Sequence, residues 1–380
     1  MYLALFFSRG VSLKLWVDKG LFTKEKLLYE EHLNQNNLKK IYWLTYGSED
    51  KELARQLKRK NELHKDIEIL QMPKIFNIPK IGSYIYSLFL PFYYKKQLQM
   101  SSILKTNQTD GSWSAVIAKK LYNKKLLYRT GFVMSQLENH LKRFNSFTRI
   151  IIEWVEKIAY KNCDRAIVSS KHSLKYIIDK YHVNISQIDI IYNYVNRKNF
   201  FDFKQIRENK VIFVGRLSEE KNLFNLIKAL NKIGLSLEIY GSGYMKKELE
   251  LFIANNSYNV KLMGNVDNSN LSYILNTSKY FALVSKHEGM PKALIEALSC
   301  GCICVGTDVA GINEVIINNY NGILAKNTSS KEILKSFQKA IQLSDVEIGI
   351  LKSNAQRFVD NYFNLHNIVK QEQNVFEKLL

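Results

Sequence analysis

No apolar run in the chain approaches the ~20 residues that a helix needs to span a bilayer, so a transmembrane segment is not expected. The run at the start, Tyr2 to Phe7, is six residues long and has no basic segment before it, which argues against a cleaved secretion signal. It reads as a buried first strand. Cysteine is scarce: Cys163, Cys300, Cys302 and Cys304 are the only ones in 380 residues. Neither histidine nor further cysteine follows the last three at zinc-site spacing. Cys302 and Cys304 fall in a strand-like Cys-Ile-Cys-Val run. They are expected to be small buried residues with reduced thiols, which fits a cytoplasmic protein. Internal repeats and low-complexity tracts are also lacking.

Acidic residues run short in one half only. Residues 1–205 hold 35 Lys and Arg against 18 Asp and Glu, whereas residues 206–380 hold 20 against 17. A lysine-rich genome would load both halves alike. A basic first half implies an anionic partner: a membrane surface, a phosphate-bearing acceptor or nucleic acid. The chain carries no recognisable nucleic-acid module, and the basic excess avoids the motif-rich half. A nucleic-acid-binding protein is therefore the rival reading from a different class, and no nucleic-acid partner is expected.

A length of 380 residues with 46% apolar content suits two domains with proper cores. Strand-like runs alternate with helical ones throughout, the pattern of an α/β protein with parallel sheets and crossover helices. In the first half, strands are expected at Tyr2–Phe7, Ile41–Thr45, Ile67–Gln71, Ile103–Lys105, Leu126–Tyr128 and Ala166–Ser169. Clear helices there are Ser114–Leu121 and Phe147–Lys161. In the second half, strands are expected at Val211–Val214, Ser236–Tyr240, Val260–Met263, Tyr280–Val284 and Ile303–Val305. Helices separate them, and a further one is expected at Ile312–Ile317. The expected division is residues 1–195, residues 196–355, and a helix over 356–380 that returns to the first domain.

The most informative segment is Ser285-Lys-His-Glu-Gly-Met-Pro-Lys-Ala-Leu-Ile-Glu-Ala-Leu-Ser-Cys-Gly301. Pro291 suits a helix's first turn and Gly301 the position just past its end. Glu288 then falls just before the helix, with Glu296 about two turns on. The free N–H groups and dipole of that helix start favour an anionic or oxygen-rich ligand. Carboxylates beside such a site make sense as acceptors for hydroxyl groups. A diphosphate flanked by two sugars, as in a nucleotide sugar, meets both demands. Arg216 and Lys221, just after a strand, add a planar fork and a compact charge for phosphate. Glycine recurs at the strand ends, in Gly215-Arg216, Gly241-Ser242-Gly243, Gly264-Asn265 and Gly306 onward, where a ligand approaches backbone closely.

These pieces resemble retaining glycosyltransferases of family 4, bacterial surface-glycan type. They are Gly215-Arg-Leu-x3-Lys221, Gly241-Ser-Gly, Gly264-x-Val, His287-Glu-Gly-Met-Pro with Glu296, Gly311-Ile-Asn-Glu314 and Asn321-Gly-Ile-Leu-Ala. Ile191-Tyr-Asn-Tyr-Val-Asn resembles the hinge segment of that family. The resemblance covers roughly residues 185–325. It implies the GT-B architecture: two Rossmann-like, doubly wound parallel-sheet domains facing across a cleft. It also implies roles. Arg216 and Lys221 would hold the leaving diphosphate, and Glu296 would accept from the ribose. Glu288, with the backbone of Gly289, Met290, Pro291 and Lys292, would hold the transferred sugar. Asn265 and Val266 would border the base, with Gly241 nearby. The chain has no Asp-x-Asp motif, so neither metal nor other cofactor is expected.

The stretch Leu127-Tyr-Arg129-Thr-Gly131-Phe stands where many members of that family carry a loop histidine. Arg129 is the candidate there for a donor or acceptor contact. His140 follows in a helix-like run and reads as a surface residue. Gly10, with Arg9 as a second candidate, follows the first strand, where the family has a glycine-bearing loop. The segment Met72–Leu98 mixes aromatic and basic residues. That suits either a membrane interface or the core of an irregular helix pair.

The resulting expectation is a cytoplasmic hexosyltransferase on the inner face of the plasma membrane. It would move sugar from a UDP-sugar to a lipid-linked, growing surface glycan, with an anionic membrane surface as partner of the first domain. A GT-B-fold sugar-nucleotide epimerase is the rival among enzymes.

Overall fold

The computed structural model describes residues 1–141 and 144–380. The side chains of residues 137 and 139–141, His140 among them, lie outside the described part. The chain divides into two compact units, Met1–Ile191 with Val369–Leu380, and Tyr192–Ile368.

The first unit is built on seven strands: β1 (Tyr2–Phe6), β2 (Lys40–Leu44), β3 (Ile67–Leu70), β4 (Ile103–Thr106), β5 (Lys125–Thr130), β6 (Arg165–Val168) and β7 (Ile188–Ile190). They pair in parallel in the order β3-β2-β1-β4-β5-β6-β7. Leu3, Ala4, Leu5, Ile41, Trp43 and Ile103 are wholly buried. That is the signature of strands covered on both faces by crossover helices. The sheet order reverses between β1 and β4.

Two buried carboxylates tie this unit together. Glu372, in the last helix (Leu365–Leu379), takes Lys105 Nζ at 2.7 Å and His32 Nε2 at 3.0 Å. Burial alone would raise its pKa, but Lys105 and His32 outweigh that and hold the carboxyl well below the usual range. Glu156, in the Ser146–Asn162 helix, accepts from Met134 N (2.7 Å), Ser135 Oγ (2.5 Å) and Tyr181 OH (2.7 Å).

The Met72–Leu98 segment is partly packed into the core and partly exposed. It forms a short turn of helix at Lys74–Phe76 and helices Gly82–Tyr93 and Lys95–Met100. Tyr86, Leu90, Tyr94 and Leu98 are buried, while Ile75, Tyr84, Leu88, Phe89, Phe92 and Tyr93 are exposed.

The second unit holds β8 (Glu208–Val214), β9 (Ser236–Tyr240), β10 (Val260–Gly264), β11 (Ser278–Leu283), β12 (Ile303–Thr307) and β13 (Ile323–Ala325). All are parallel, in the order β10-β9-β8-β11-β12-β13. Here the order reverses between β8 and β11. The Ile312–Ile317 segment, expected as a helix, is a run of turns. Its buried Ile312, Val315 and Ile316 copy helical spacing. Asn321 stops propagation, accepting from Ile317 N at 2.7 Å and donating to Val315 O at 3.0 Å. The C-terminal helix expected over 356–380 is broken. Asp345–Tyr362 ends before Phe363, whose carbonyl accepts from Val195 N at 2.8 Å.

Candidate functional site

In open parallel sheets, ligands bind beyond the carboxyl ends of the strands, where the strand order reverses. In the second unit that point lies between β8 and β11, and the loops leaving these two strands carry Arg216, Lys221 and Glu288.

The β8 loop is shaped by close backbone packing. Gly241, at the end of β9, has φ +141°, and a Cβ there would stand 1.8 Å from Gly215 O. A Cβ on Gly243 would stand 2.1 Å from Leu217 O. Only glycine lets the two loops lie this close. Leu217 N then donates to Ser242 O at 2.9 Å. Asn222 adopts φ +58°, which Asn tolerates better than most residues. Its side chain donates to Val284 O (3.0 Å) and Thr328 O (2.8 Å), stapling the end of this loop to the end of β11.

The β11 loop is held from both sides. Lys286 N donates to Glu220 O at 2.7 Å, and Lys286 Nζ lies 2.7 Å from Glu219. That hydrogen-bonded ion pair holds the Glu219 carboxyl below its usual range. Thr307 Oγ1 donates to Ser285 O at 2.6 Å. Gly311, at φ +81°, lets its loop approach so closely that a Cβ would stand 2.6 Å from both Glu288 O and Gly289 O.

Within this frame Lys221 Nζ lies 2.5 Å from Glu288 Oε1, and Ser285 Oγ donates to the same oxygen at 2.6 Å. Arg216 is exposed in the same loop. The helix after Glu288 runs Lys292–Ser299, with Pro291 as its N-cap rather than in its first turn. Proline offers no side-chain oxygen to the helix start, so the capping acceptor typical of such ends is not supplied by this residue. Gly301 follows the C-cap at φ +78°, as expected. Glu296 sits in the helix at 3% exposure, with Lys292 Nζ 3.5 Å from its Oε1. Asn265 is exposed and Val266 half-buried beyond β10, at the sheet's edge.

The structure thus brings Arg216, Lys221, Glu288, Gly289, Met290, Pro291, Lys292 and Glu296 onto two neighbouring loops and one helix. From the sequence Ser285 counted only as one of the strand-end residues, and Asn222 had no role. The cue for Asn222 was an Asn directly before an apolar-periodic run, a position where Asn is favoured as a helix cap.

The other candidates lie in the first unit. Gly10 has φ +77° in the loop after β1. Arg9 forms a two-pronged pair with Asp110, Nε–Oδ1 and Nη2–Oδ2 both at 3.0 Å, and its guanidinium lies 3.7 Å from the centre of the Tyr84 ring. Burial raises the Asp110 pKa, with Arg9 opposing. Arg129 lies within β5 rather than on the loop beyond it. A cleft of about 760 Å³ opens at the carboxyl ends of β1 to β3, lined by Ser12, Lys14, Glu49, Lys51, Arg55 and Lys74 among others. All four cysteines are free and buried, and burial raises the pKa of the Cys302 thiol to about 11. Among the described residues, no three His, Cys, Asp or Glu side chains cluster as metal ligands. Nor, among those residues, is any helix long and apolar enough to cross a membrane.

Residues 196–357 match the family Glycosyl transferases group 1. A glycosyltransferase of Methanocaldococcus jannaschii without assigned substrate is 29% identical over 70% of this chain and 71% of its own length. This chain is a glycosyltransferase. A second relative is the Campylobacter jejuni GalNAc-alpha-(1->4)-GalNAc-alpha-(1->3)-diNAcBac-PP-undecaprenol alpha-1,4-N-acetyl-D-galactosaminyltransferase. It is 24% identical over 55% of this glycosyltransferase and 59% of its own length. The crystal structure of Anabaena HepE in complex with UDP superposes with a TM-score of 0.76 at 17% identity, covering 100% of both chains. The fold of this glycosyltransferase is GT-B.

Proposed function

We propose that the enzyme is a family 4 retaining glycosyltransferase that moves a hexose from a UDP-sugar to a growing, lipid-linked surface glycan. The observation that carries this reading is the Lys221–Glu288 pair at the β8/β11 reversal, beside exposed Arg216 and the helix start at Pro291. Fixed cations stabilise a diphosphate as its charge grows in the transition state. Arg216 and Lys221 take that role here, and the N-terminus of the Lys292–Ser299 helix adds its dipole. Glu288 and the backbone of Gly289, Met290, Pro291 and Lys292 hold the transferred sugar. Glu296 accepts from the ribose hydroxyls. Asn265, Val266 and Gly241 border the nucleotide, and the reaction needs no metal.

The UDP complex of HepE supports the choice of donor, and the undecaprenol-linked substrate named for the C. jejuni relative supports the acceptor class. Gly10 and Arg129 serve the acceptor side, and the β1–β3 cleft receives the glycan. Arg9, already engaged by Asp110, shapes the Gly10 loop. The enzyme works in the cytoplasm on the inner membrane face, using the exposed aromatic and basic residues of Met72–Leu98.

The test is a screen of nucleotide sugars by thermal stabilisation, because a tight ligand raises apparent stability. Product analysis follows with the stabilising donor and a lipid-diphosphate glycan. A new glycosidic bond with retained anomeric configuration is expected. Conversion of the donor to its epimer without transfer would overturn the reading.

A further inference from the structure

From Ile69 to Leu137 the chain has a single acidic residue, Asp110, and Arg9 binds its carboxylate at 3.0 Å. This stretch builds the Gly82–Tyr93 and Ser112–Tyr122 helices of the first unit, and the Ser146–Asn162 helix completes a row of three. Trp113 Nε1 donates to Ser87 Oγ at 2.9 Å and Tyr122 OH to Pro91 O at 2.9 Å, joining the first two. Lys119 Nζ donates to Asn162 O at 2.8 Å, joining the second to the third.

The third helix turns a large apolar stripe outward. Phe147, Ile150, Ile151 and Trp154 fall at i, i+3, i+4 and i+7, one face of a helix, and their exposures run from 45% to 71%. Its buried side takes Ala159, Tyr160 and the carboxylate of Glu156 instead. Leu121 on the middle helix and Leu88, Phe89, Phe92 and Tyr93 on the first are exposed as well. Isolated exposed apolar residues are ordinary, but a contiguous group on neighbouring helices marks an interaction surface.

The charges around the stripe have one sign. Lys95, Lys96, Lys120, Lys157 and Lys161 are exposed on these helices or just beyond their ends. Of the acids in the third helix, Glu153 is paired with Lys180 at 2.5 Å and Glu156 is buried. Self-association through this face would set like charges against each other, since a two-fold contact uses the same patch twice. An anionic bilayer offers both an apolar interior for the stripe and counter-charge for the lysines.

We propose that all three helices seat together on an anionic lipid bilayer, with the Ser146–Asn162 helix inserting Phe147, Ile150, Ile151 and Trp154. The contact rests on the membrane-facing part of the reading above and extends it to a helix outside Met72–Leu98. The full chain is tested with phosphatidylglycerol–phosphatidylcholine vesicles and with phosphatidylcholine alone. Trp154 is 64% exposed, whereas Trp16 and Trp43 are buried and Trp113 is half-buried with its Nε1 held by Ser87, so the Trp154→Phe variant isolates the contribution of Trp154. Its emission should shift to the blue with anionic vesicles and be quenched by brominated acyl chains. Trp154→Phe should abolish that signal yet leave sedimentation with the vesicles. Ile150→Glu with Ile151→Glu should weaken partitioning by about tenfold or more, through two lost apolar contacts and two added negative charges. UDP affinity should be unchanged in both variants.

Co-sedimentation without a Trp154 signal would exclude the third helix from the contact. Lack of sedimentation, with UDP still bound, would overturn the docking face while the transferase reading stands. A dimer in lipid-free solution that the double variant splits would assign the face to a second copy. Salt-sensitive RNA binding lost in the same variant would assign it to nucleic acid. Failure of the wild type to bind UDP would count against the donor assignment alone.

Discussion

Lys221 and Glu288 stand 67 positions apart, yet the Lys221 Nζ lies 2.5 Å from Glu288 Oε1. Both are largely buried, at 16% and 12% side-chain exposure. The pair joins the loops of β8 and β11, which are neighbours only because the sheet order reverses there. The ammonium is therefore held in place before any anion arrives, and such preorganisation is what makes charge effective in a site.

Lys221→Ala should lower kcat/KM by about 100- to 1000-fold, the range for loss of one preorganised stabilising group. Steady-state kinetics with the identified donor measures this. Activity within a few-fold of wild type would remove Lys221 from the proposed site.

Arg216 is exposed, so Arg216→Ala should leave the melting temperature unchanged. Turnover should fall by more than donor affinity, because the diphosphate gains charge in the transition state. EDTA should not affect the wild type. Loss of activity on chelation, restored by magnesium or manganese, would refute a metal-free reaction.

Glu296→Ala should weaken nucleotide binding by roughly 1.5–3 kcal/mol, the usual worth of a hydrogen bond to a charged group. The helix should persist, since alanine is its best former. Calorimetry of UDP binding gives the answer, and unchanged affinity would exclude contact with the ribose.

Gly311→Ala adds a Cβ 2.6 Å from two carbonyl oxygens of the Glu288 loop, at φ +81°. The strained backbone should cost on the order of 1–3 kcal/mol. Turnover should also fall, because relief of the clash displaces Glu288. A melting curve and a rate like those of the wild type would show that the loop adapts freely.

The Glu372 carboxyl is held well below its ordinary pKa by Lys105 and His32. A depressed folded pKa adds stability that is present above the unfolded value of about 4.3 and is lost as pH falls through the folded one. The first unit should therefore lose stability on acidification below about pH 4, and Glu372→Gln should remove that component. At neutral pH the variant should be destabilised by roughly 3–5 kcal/mol, because Lys105 is left without its buried counter-charge. Denaturant unfolding at several pH values would show both effects, and an unaltered acid profile would contradict them.

Strand β9 was legible to the residue, because Ser236–Tyr240 is a short apolar alternation bounded by Leu235 and Gly241. The Ile312–Ile317 segment misled because buried turns and helices can share the same apolar spacing. The break at Phe363 was passed over although it has a local cue: Asn364, just before the last helix, accepts from His366 N at 2.9 Å as a helix cap, while Val195 N pairs with the Phe363 carbonyl. In the site, Glu288 and Glu296 could be placed from Pro291 and Gly301 alone. Ser285 and Asn222 were passed over because their partners, the Glu288 carboxylate and the Val284 and Thr328 carbonyls, are tertiary contacts. The Met72–Leu98 segment could not be divided from sequence, since Tyr86 and Phe89 differ in setting rather than in type.

By itself the sequence determined the alternation of strands and helices, the glycines at strand ends and the placing of carboxylates around one helix. These depend on local backbone preference and on periodicity, which the order of residues carries directly. Only the tertiary structure decided which loops meet. The order β10-β9-β8-β11-β12-β13 sets β11 beside β8 and so brings Glu288 to Lys221. It also decided that Lys105, His32 and Glu372 could be buried together and that Phe147 and Trp154 could not. Burial and charge compensation depend on what the rest of the chain packs against a residue, and only the folded protein supplies that.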